Sequence, residues 1–244
     1  MQHEIVSRDE WLTARKALLA REKEITKARD ALSAARRELP WVKIEKPYTF
    51  ETRQGRKLLS DLFGSTSQLV VYHFMLGPDW VQGCPSCSYL ADHFDGMIVH
   101  LAQRDVTFMA VSRAPLAEIE AYKKRMGWRF PWASSFGSDF NCDFGVSFSK
   151  QQAETKALAY NYGTVPVMSE ELPGLSAFYK NERGEVFHTY STYARGLDIL
   201  VGAYNVLDMA PKGRDEDSLP WTMAWVKRHD EYDAAPVPKA SCCG

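Results

Sequence analysis

The run LVVYHFML, residues 69–76, constrains the fold more strongly than any other part of this chain. Strands with one exposed face alternate apolar and polar residues, whereas an unbroken apolar run is typical of a strand that is buried on both faces. Residues 106–111 form a second run of this kind, and a stretch with helical periodicity separates the two. The pattern therefore predicts a buried sheet that is covered by helices.

The remaining segments continue this alternation of strands and helices. We predict two short strands before the first buried run; after the second run we predict a helix, a hairpin that turns at Gly184, and another helix. In chain order these segments are residues 41–44, 48–52, 116–126, 175–179, 186–190 and 197–207. This order implies an α/β fold in which a mixed sheet is flanked by helices.

The first forty residues predict a long amphipathic helix. Ser7 and Glu10 fit a capping box, and Pro40 ends the pattern. Apolar residues recur at every seventh position, namely Trp11, Leu18, Ile25, Leu32 and Leu39. This helix either lies as an arm on the body of the protein or forms a homodimer by coiled-coil pairing. We expect an N-terminal helical arm over residues 1–40, an α/β domain over 41–210, and a C-terminal helical extension with a flexible tail over 211–244.

Composition and charge narrow the class of partner and the compartment. The formal net charge is -1, so no broad basic field exists to hold nucleic acid. The longest apolar run covers about a third of a membrane span, and the N-terminus lacks the apolar core of a secretory signal. We therefore expect a cytoplasmic protein that binds neither nucleic acid nor membrane. Thiols in that compartment are kept reduced, so a close pair of cysteines is typical of catalysis or metal binding.

Two of the five cysteines lie three positions apart in the stretch WVQGCPSCSYL. Cys84 falls where a loop ends and a helix begins, because Pro85 suits the first helical position. The helix shows one apolar face, made of Cys87, Leu90, Phe94, Met97, Ile98 and Leu101. Backbone N–H groups at the helix N-terminus stabilise a thiolate at Cys84. No Lys, Arg or His lies in the loop, so we expect only a moderate fall in the pKa of Cys84.

This spacing is compatible with three kinds of site. A zinc site needs four ligands, and no second Cys-x-x-Cys pair exists. Two inert core cysteines would not need Gly83 and Pro85 at a loop-to-helix junction. A redox pair fits best, with Cys84 as the attacking thiol and Cys87 one turn further along to resolve the mixed disulfide. This chemistry requires neither a metal nor an organic cofactor.

The stretch around the pair resembles the thioredoxin-like superfamily. Trp80, Gly83, and Cys84-Pro85-Ser86-Cys87 between an apolar strand and an amphipathic helix follow the thioredoxin pattern. The resemblance implies a cis-proline opposite the pair, either Pro173 or Pro166. More narrowly, HTYSTYARG (residues 188–196) and WVKRHDEY (225–232) resemble a bacterial thioredoxin-like family described as predicted dithiol-disulfide oxidoreductases. The implied activity is thiol–disulfide exchange with a protein or small-molecule disulfide.

Two further readings of the pair stay open. The first half of the chain also resembles peroxiredoxins through Gly55 and residues 58–64, which implies a thiol peroxidase. Peroxiredoxins carry a Thr or Ser three residues before the reactive Cys and a Pro seven before; here these are Val81 and Gly77, so the hydroxyl that would orient a peroxide is missing. Alternatively, the protein senses redox state or binds a partner without turnover.

Several residues away from the pair are candidates for a supporting role. His188, Tyr190, Tyr193 and Arg195 are either a substrate-recognising face with Arg195 as partner of an anionic group, or a half-buried edge strand. We expect His73 to be a packed core histidine and Cys142 to be a lone thiol on a strand. Cys242 and Cys243 near the C-terminus are a candidate electron shuttle to the active site, a soft-metal clip, or incidental thiols.

Overall fold

The computed structural model describes residues 3–155 and 159–232 of the chain. Two compact units emerge from it, one up to Trp41 and one from Val42 onward. Among the described residues, none of the helices combines the length and the apolar composition that a membrane span requires.

The first unit is built on α1, Arg8–Arg37. The predicted capping box is confirmed: Glu10 N donates to Ser7 Oγ over 3.3 Å, and Ser7 N donates to the Glu10 carboxylate over 2.9 Å. None of the thirty described residues of α1 is buried. Its sevenfold apolar residues, including Leu18 and Ile25, stay exposed. The homodimer that this stripe suggests stays a prediction.

The second unit is built on a mixed sheet. In chain order its strands, and those of a small accessory sheet, are β1 (Val42–Lys43), β2 (Thr49–Thr52), β3 (Gly55–Leu58), β4 (Gln68–His73), β5 (Val106–Ser112), β6 (Trp132–Ser134), β7 (Ala159–Tyr160), β8 (Val165–Pro166), β9 (Gly174–Lys180) and β10 (Val186–Tyr193). Among the described residues eight strands form the main sheet, in the order β1-β10-β9-β4-β5-β6-β2-β3, and β7 pairs with β8 alone. Strands β4, β5 and β6 run parallel, and the other pairs are antiparallel.

Helices lie between and after these strands. They are α2 (Pro85–Ala91), α3 (Ile98–Ala102), α4 (Leu116–Arg125), α5 (Phe140–Asp143), α6 (Lys150–Thr155) and α7 (Gly202–Leu207). The chain therefore passes from β4 through α2 and α3 to β5, then through α4 to β6, and later through the β9–β10 hairpin to α7. This is the α/β thioredoxin-like fold that the sequence predicts.

The faces of the central strand β4 separate the two large cores. Tyr72 packs on one face with Cys87, Phe94 and other residues from the helices that follow β4. Leu69 and Val71 pack on the other face in a second apolar cluster. Alternation along β4 places the cysteine pair on the face of Tyr72 and leaves His73 on the opposite face.

The described residues of the C-terminal part differ from the helical extension that the sequence predicts over residues 211–244. Residues 221–232 form turns with one 3₁₀ turn, His229–Glu231. Met223 has a φ of 67°, which no α-helix tolerates. Its N–H donates instead to Glu216 Oε1 over 2.9 Å, so a side chain replaces the helical carbonyl. The predicted helix was therefore wrong, although Val226 of this segment is buried in the core.

Candidate active site

The loop after β4 delivers Cys84 to the first turn of α2. Cys84 is the N-cap residue and Pro85 the first helical residue, as the sequence predicts. Cys84 N donates to Met75 O over 3.1 Å, which closes the loop back on its own start. The Cys84 carbonyl accepts from Ser88 N at 2.9 Å and from Ser88 Oγ at 2.8 Å. These bonds fix the backbone of Cys84 and leave its side chain to react.

Gly83 allows this loop to pack tightly against aromatic rings. A Cβ at Gly83 would lie 2.5 Å from Phe74 Cε1 and 2.7 Å from Tyr122 Cε1, closer than carbon atoms can approach. Tyr122 in turn shares a hydrogen bond of 2.7 Å with Ser88 Oγ. The side chains around the pair are therefore held by packing as well as by hydrogen bonds, and only glycine fits before Cys84.

The two thiols lie in unequal environments. Both are free thiols; Cys84 is partly exposed, whereas Cys87 is only 2% exposed. The Cys87 thiol donates a hydrogen bond to Cys84 Sγ, as the side chain one turn further along the helix should. One sulfur is thus accessible to a substrate and the other is close behind it.

The pKa of Cys84 falls to about 6. The hydrogen bond from the Cys87 thiol is the largest cause; backbone N–H groups of Cys87 and Ser86 and the positive charge of Arg228 add to it, while burial acts against it. At pH 7 a thiol with this pKa is about nine-tenths thiolate, whereas free cysteine is a few per cent thiolate. The fall is larger than the sequence predicts.

The pKa of Cys87 shifts in the opposite direction. Its pKa is raised well above the ordinary value, first because it is buried and then because it donates to Cys84 and faces the Cys84 charge. The Tyr72 hydroxyl donates to Cys87 Sγ and partly offsets this rise. The pair therefore holds one thiolate and one thiol, which is the state that begins thiol–disulfide exchange.

Arg228 is the site residue that the loop sequence does not reveal. Its Nε and Nη2 donate to the Gly83 carbonyl over 3.0 and 2.5 Å, across 145 residues of chain. Nη1 donates to Glu231 over 3.1 Å. The only signal in the sequence was its place in WVKRHDEY, residues 225–232, whose resemblance to a redox family gave no role to any single residue.

A groove of about 460 Å³ lies beside the cysteine loop. It runs between residues of the loop and one side of α4, and its lining is Leu76, Asp79, Trp80, Val81, Glu118, Ala121, Tyr122 and Arg125. Trp80 lines this groove, whereas Cys84 and Cys87 are not part of its lining. Ser86 contributes its backbone N–H to Cys84. Val81, at the position where peroxiredoxins have a hydroxyl, is 98% exposed.

Neither candidate proline is preceded by a cis peptide bond. The described residues contain no cis peptide bond, so that expectation was wrong for Pro173 and Pro166 alike. Leu172 N donates to Val146 O over 2.8 Å, and the chain enters β9 at Gly174. Pro173 still lies close to the end of β4 from which the cysteine loop leaves, because the next residue, Gly174, pairs with His73.

The predicted substrate face does not converge on one site. A β-bulge between His188 and Tyr190 breaks the alternation of β10. His188 therefore faces buried Ser191, whose Oγ lies 2.7 Å from His188 Nε2. Tyr193 is buried and donates to Phe144 O over 2.9 Å. Arg195 is 87% exposed and pairs with Asp198. The bulge separates Tyr190 from His188, and Tyr190 and Tyr193 lie on opposite faces of β10 because they are an odd number of positions apart, so the four residues are not gathered on one face.

Four other residues were singled out in the sequence. His73 is buried and hydrogen-bonded, as predicted, with Nε2 2.8 Å from Ser176 Oγ. Cys142 lies on α5 and is exposed, so the predicted strand was wrong there. Cys242 and Cys243 lie outside the described residues. Among residues 3–155 and 159–232, no group of three or more His, Cys, Asp and Glu side chains is arranged to hold a metal ion.

Comparisons with known proteins give one sequence match and several structural ones. A family described as "Bacterial protein of unknown function (DUF899)" matches residues 1–232. No curated protein matches the chain. A mutant of Xanthomonas campestris peroxiredoxin Q is 16% identical, covering 69% of this chain and 96% of its own, with a TM-score of 0.44. Peroxidoxin BcpB from Mycobacterium tuberculosis is 13% identical, with coverages of 69% and 97% and a TM-score of 0.45. Similarities this low say nothing about activity.

Proposed function

We propose that this chain, which belongs to the bacterial DUF899 family of unknown function, is a dithiol–disulfide oxidoreductase. The observation that carries the proposal is the asymmetry of the pair: a partly exposed Cys84 with a pKa of about 6 in hydrogen-bonding contact with a buried Cys87 whose pKa is raised. Exchange needs one thiol that is ionised at neutral pH and a second that stays protonated until the mixed disulfide exists.

The reaction begins when the Cys84 thiolate attacks one sulfur of a substrate disulfide. The substrate S–S bond breaks, its other sulfur leaves as a thiolate and takes a proton from water, and Cys84 becomes part of a mixed disulfide. Cys87 then passes its proton to water and attacks Cys84 Sγ; the bond between Cys84 and the substrate breaks, and the second substrate sulfur leaves as a thiolate that takes a proton from water. The substrate gains two electrons and two protons, and the protein keeps a Cys84–Cys87 disulfide that an external dithiol reduces.

The surroundings of the pair support each step. The groove beside Trp80 and Tyr122 can accept the chain that flanks a substrate sulfur. Tyr72 stays protonated because burial raises its pKa, and its hydroxyl donates to Cys87 Sγ, which stabilises the thiolate that Cys87 forms before it attacks. Reducing conditions such as those of the cytoplasm would regenerate the dithiol.

Thiol peroxidase activity is the alternative function. A low thiol pKa at Cys84 would serve it as well. The exposed Val81 provides no hydroxyl to orient a peroxide, which favours disulfide exchange. A redox sensor would form the same internal disulfide without turnover.

Insulin reduction by dithiothreitol separates these functions. We expect the full chain to accelerate the precipitation of insulin and the Cys84→Ser variant to give only the background rate. Cys142→Ser, which removes an exposed thiol on α5, is the matched control and should keep full activity. Consumption of hydrogen peroxide without insulin reduction would support the peroxidase instead. An internal disulfide that forms without acceleration would support the sensor.

A further inference from the structure

We propose that Arg228 is a positioning residue for the cysteine pair: its guanidinium holds the carbonyl that precedes Cys84 and places a fixed positive charge beside the thiolate. This inference rests on the proposed function, since it concerns the same two sulfurs. It adds the C-terminal segment, residues 226–232, to a site that otherwise comes from β4, its loop and α2.

The geometry of Arg228 is specific. Two nitrogens on one edge of the guanidinium donate to a single oxygen, that of Gly83, while Nη1 on the other edge donates to Glu231. The residue is only 7% exposed. A buried arginine that spends two donors on a backbone carbonyl restrains that peptide strongly, because bonds from a charged donor are stronger than neutral ones. The restrained peptide is the one that leads into Cys84.

Arg228 supplies a positive charge that acts on Cys84. Cys87 and Tyr72 face the sulfur pair from α2 and β4, and both are neutral donors there. Arg228 faces Cys84 from the C-terminal segment and lowers its pKa. Glu231 sits on the far edge of the guanidinium, and its own charge is shared with Arg125. The positive edge of Arg228 is therefore turned toward the loop.

Two substitutions separate the charge of Arg228 from its hydrogen bonds. Arg228→Met keeps much of the apolar stem and removes both the charge and the donors. Arg228→Lys keeps the charge but cannot place two fixed donors on one carbonyl oxygen. The matched control is Lys227→Met, which removes one positive charge from the exposed neighbouring side chain of the same segment.

The measurement is the rate of iodoacetamide alkylation at Cys84 against pH, read by mass spectrometry of the peptide that carries it. We expect Arg228→Met to raise the midpoint by about one pH unit, which makes alkylation about tenfold slower at pH 5. Arg228→Lys should give a smaller rise, and Lys227→Met none. Circular dichroism checks that each variant is folded. If Arg228→Met does not fold, the Arg228→Lys midpoint decides.

An unchanged midpoint in a folded Arg228 variant would overturn the inference, as would an equal shift in Lys227→Met. This result is distinct from failure of the proposed function. If Cys84→Ser reduced insulin as fast as the unaltered chain, the exchange mechanism would fail, whereas the alkylation midpoint of Cys84 would still report whether Arg228 acts on the thiol.

Discussion

At the scale of single residues, Gly83 shows how closely the loop must approach the core. Its Cα lies where any added carbon would meet the rings of Phe74 and Tyr122. Both rings are buried, so they have little space to move aside. The conformation of Gly83 is ordinary for any residue, since its φ is not positive. The requirement for glycine is therefore one of space and not of backbone freedom.

We expect Gly83→Ala to destabilise the protein by about 1–3 kcal/mol through overpacking. It should also displace the carbonyl that Arg228 holds and so slow alkylation of Cys84. Gly96→Ala is the matched control, because no described atom lies within 4 Å of a Cβ at that position. Equilibrium unfolding in urea measures the stability of both variants. Equal urea midpoints for Gly83→Ala and Gly96→Ala would show that the rings of Phe74 and Tyr122 move aside, which would contradict the steric argument.

Some residues of the site can be predicted from neighbouring sequence, and others cannot. The position of Cys84 at the start of a helix follows from Pro85 and the periodicity after it, so the sequence predicts it correctly. Arg228 reaches Gly83 only because the folded chain brings together residues that are 145 positions apart. Its charge and the donation from Cys87 both depend on tertiary geometry. The sequence therefore predicts the direction of the Cys84 pKa shift but underestimates its size.

At the scale of elements, the hairpin β9–β10 shows where periodicity fails. Period-2 alternation correctly predicts the hairpin itself, but one extra residue in β10 reverses the faces beyond it. His188 and Ser191 would point to opposite faces in a regular strand, and the bulge brings them to one side. Nothing in the local pattern marks this bulge. The predicted substrate face therefore combined residues from both sides of the bulge, where the alternation of faces is reversed.

The same hairpin completes a buried polar chain that crosses three strands. His73 on β4 shares a hydrogen bond with Ser176 on β9, Ser176 with Ser191 on β10 at 2.8 Å, and Ser191 with His188. Burial, with a smaller effect of His188, lowers the pKa of His73 to about 3. Burial also lowers the pKa of His188. Both rings are thus neutral in the folded protein at neutral pH.

This buried polar chain of side chains predicts that the protein loses stability in acid. Unfolded His73 takes up a proton near pH 6.5, whereas the folded ring resists it down to about pH 3, so the unfolded state binds more protons between these values. The free energy of unfolding should fall by about 1.4 kcal/mol per pH unit from this residue as the pH drops below 6.5. We expect His73→Leu to flatten the slope, and exposed His100→Gln to leave it unchanged. Urea unfolding between pH 4.5 and 6.5 measures it; an unaltered slope in His73→Leu contradicts the assignment.

At the scale of the whole molecule, the chain returns from its C-terminal part to the loop that carries the cysteines. The buried strands β4 and β5 were predictable, because apolar runs are local, but the single helix predicted between them is divided into α2 and α3 by turns over residues 92–97. The course of residues 211–232 back to the cysteine loop was not predictable. In this segment, side chains take the place of backbone groups as hydrogen-bond partners. Glu216 is the clearest case: its Oε1 accepts from Tyr204 Oη at 2.7 Å, Met223 N at 2.9 Å and Trp225 Nε1 at 2.6 Å.

Glu216 should therefore influence Cys84 without lying near it. Glu216→Ala leaves three donors without their acceptor, each worth about 1–3 kcal/mol to a charged group. We expect the segment that carries Arg228 to open more often, so that the Val226 amide, now bonded to Met223 O at 3.0 Å, exchanges hydrogen at least tenfold faster. Alkylation of Cys84 should slow toward the Arg228→Met rate. The exposed neighbour Asp217→Ala should change neither quantity. Faster exchange at Val226 with unchanged alkylation would mean that Arg228 stays on Gly83 when the rest of the segment opens.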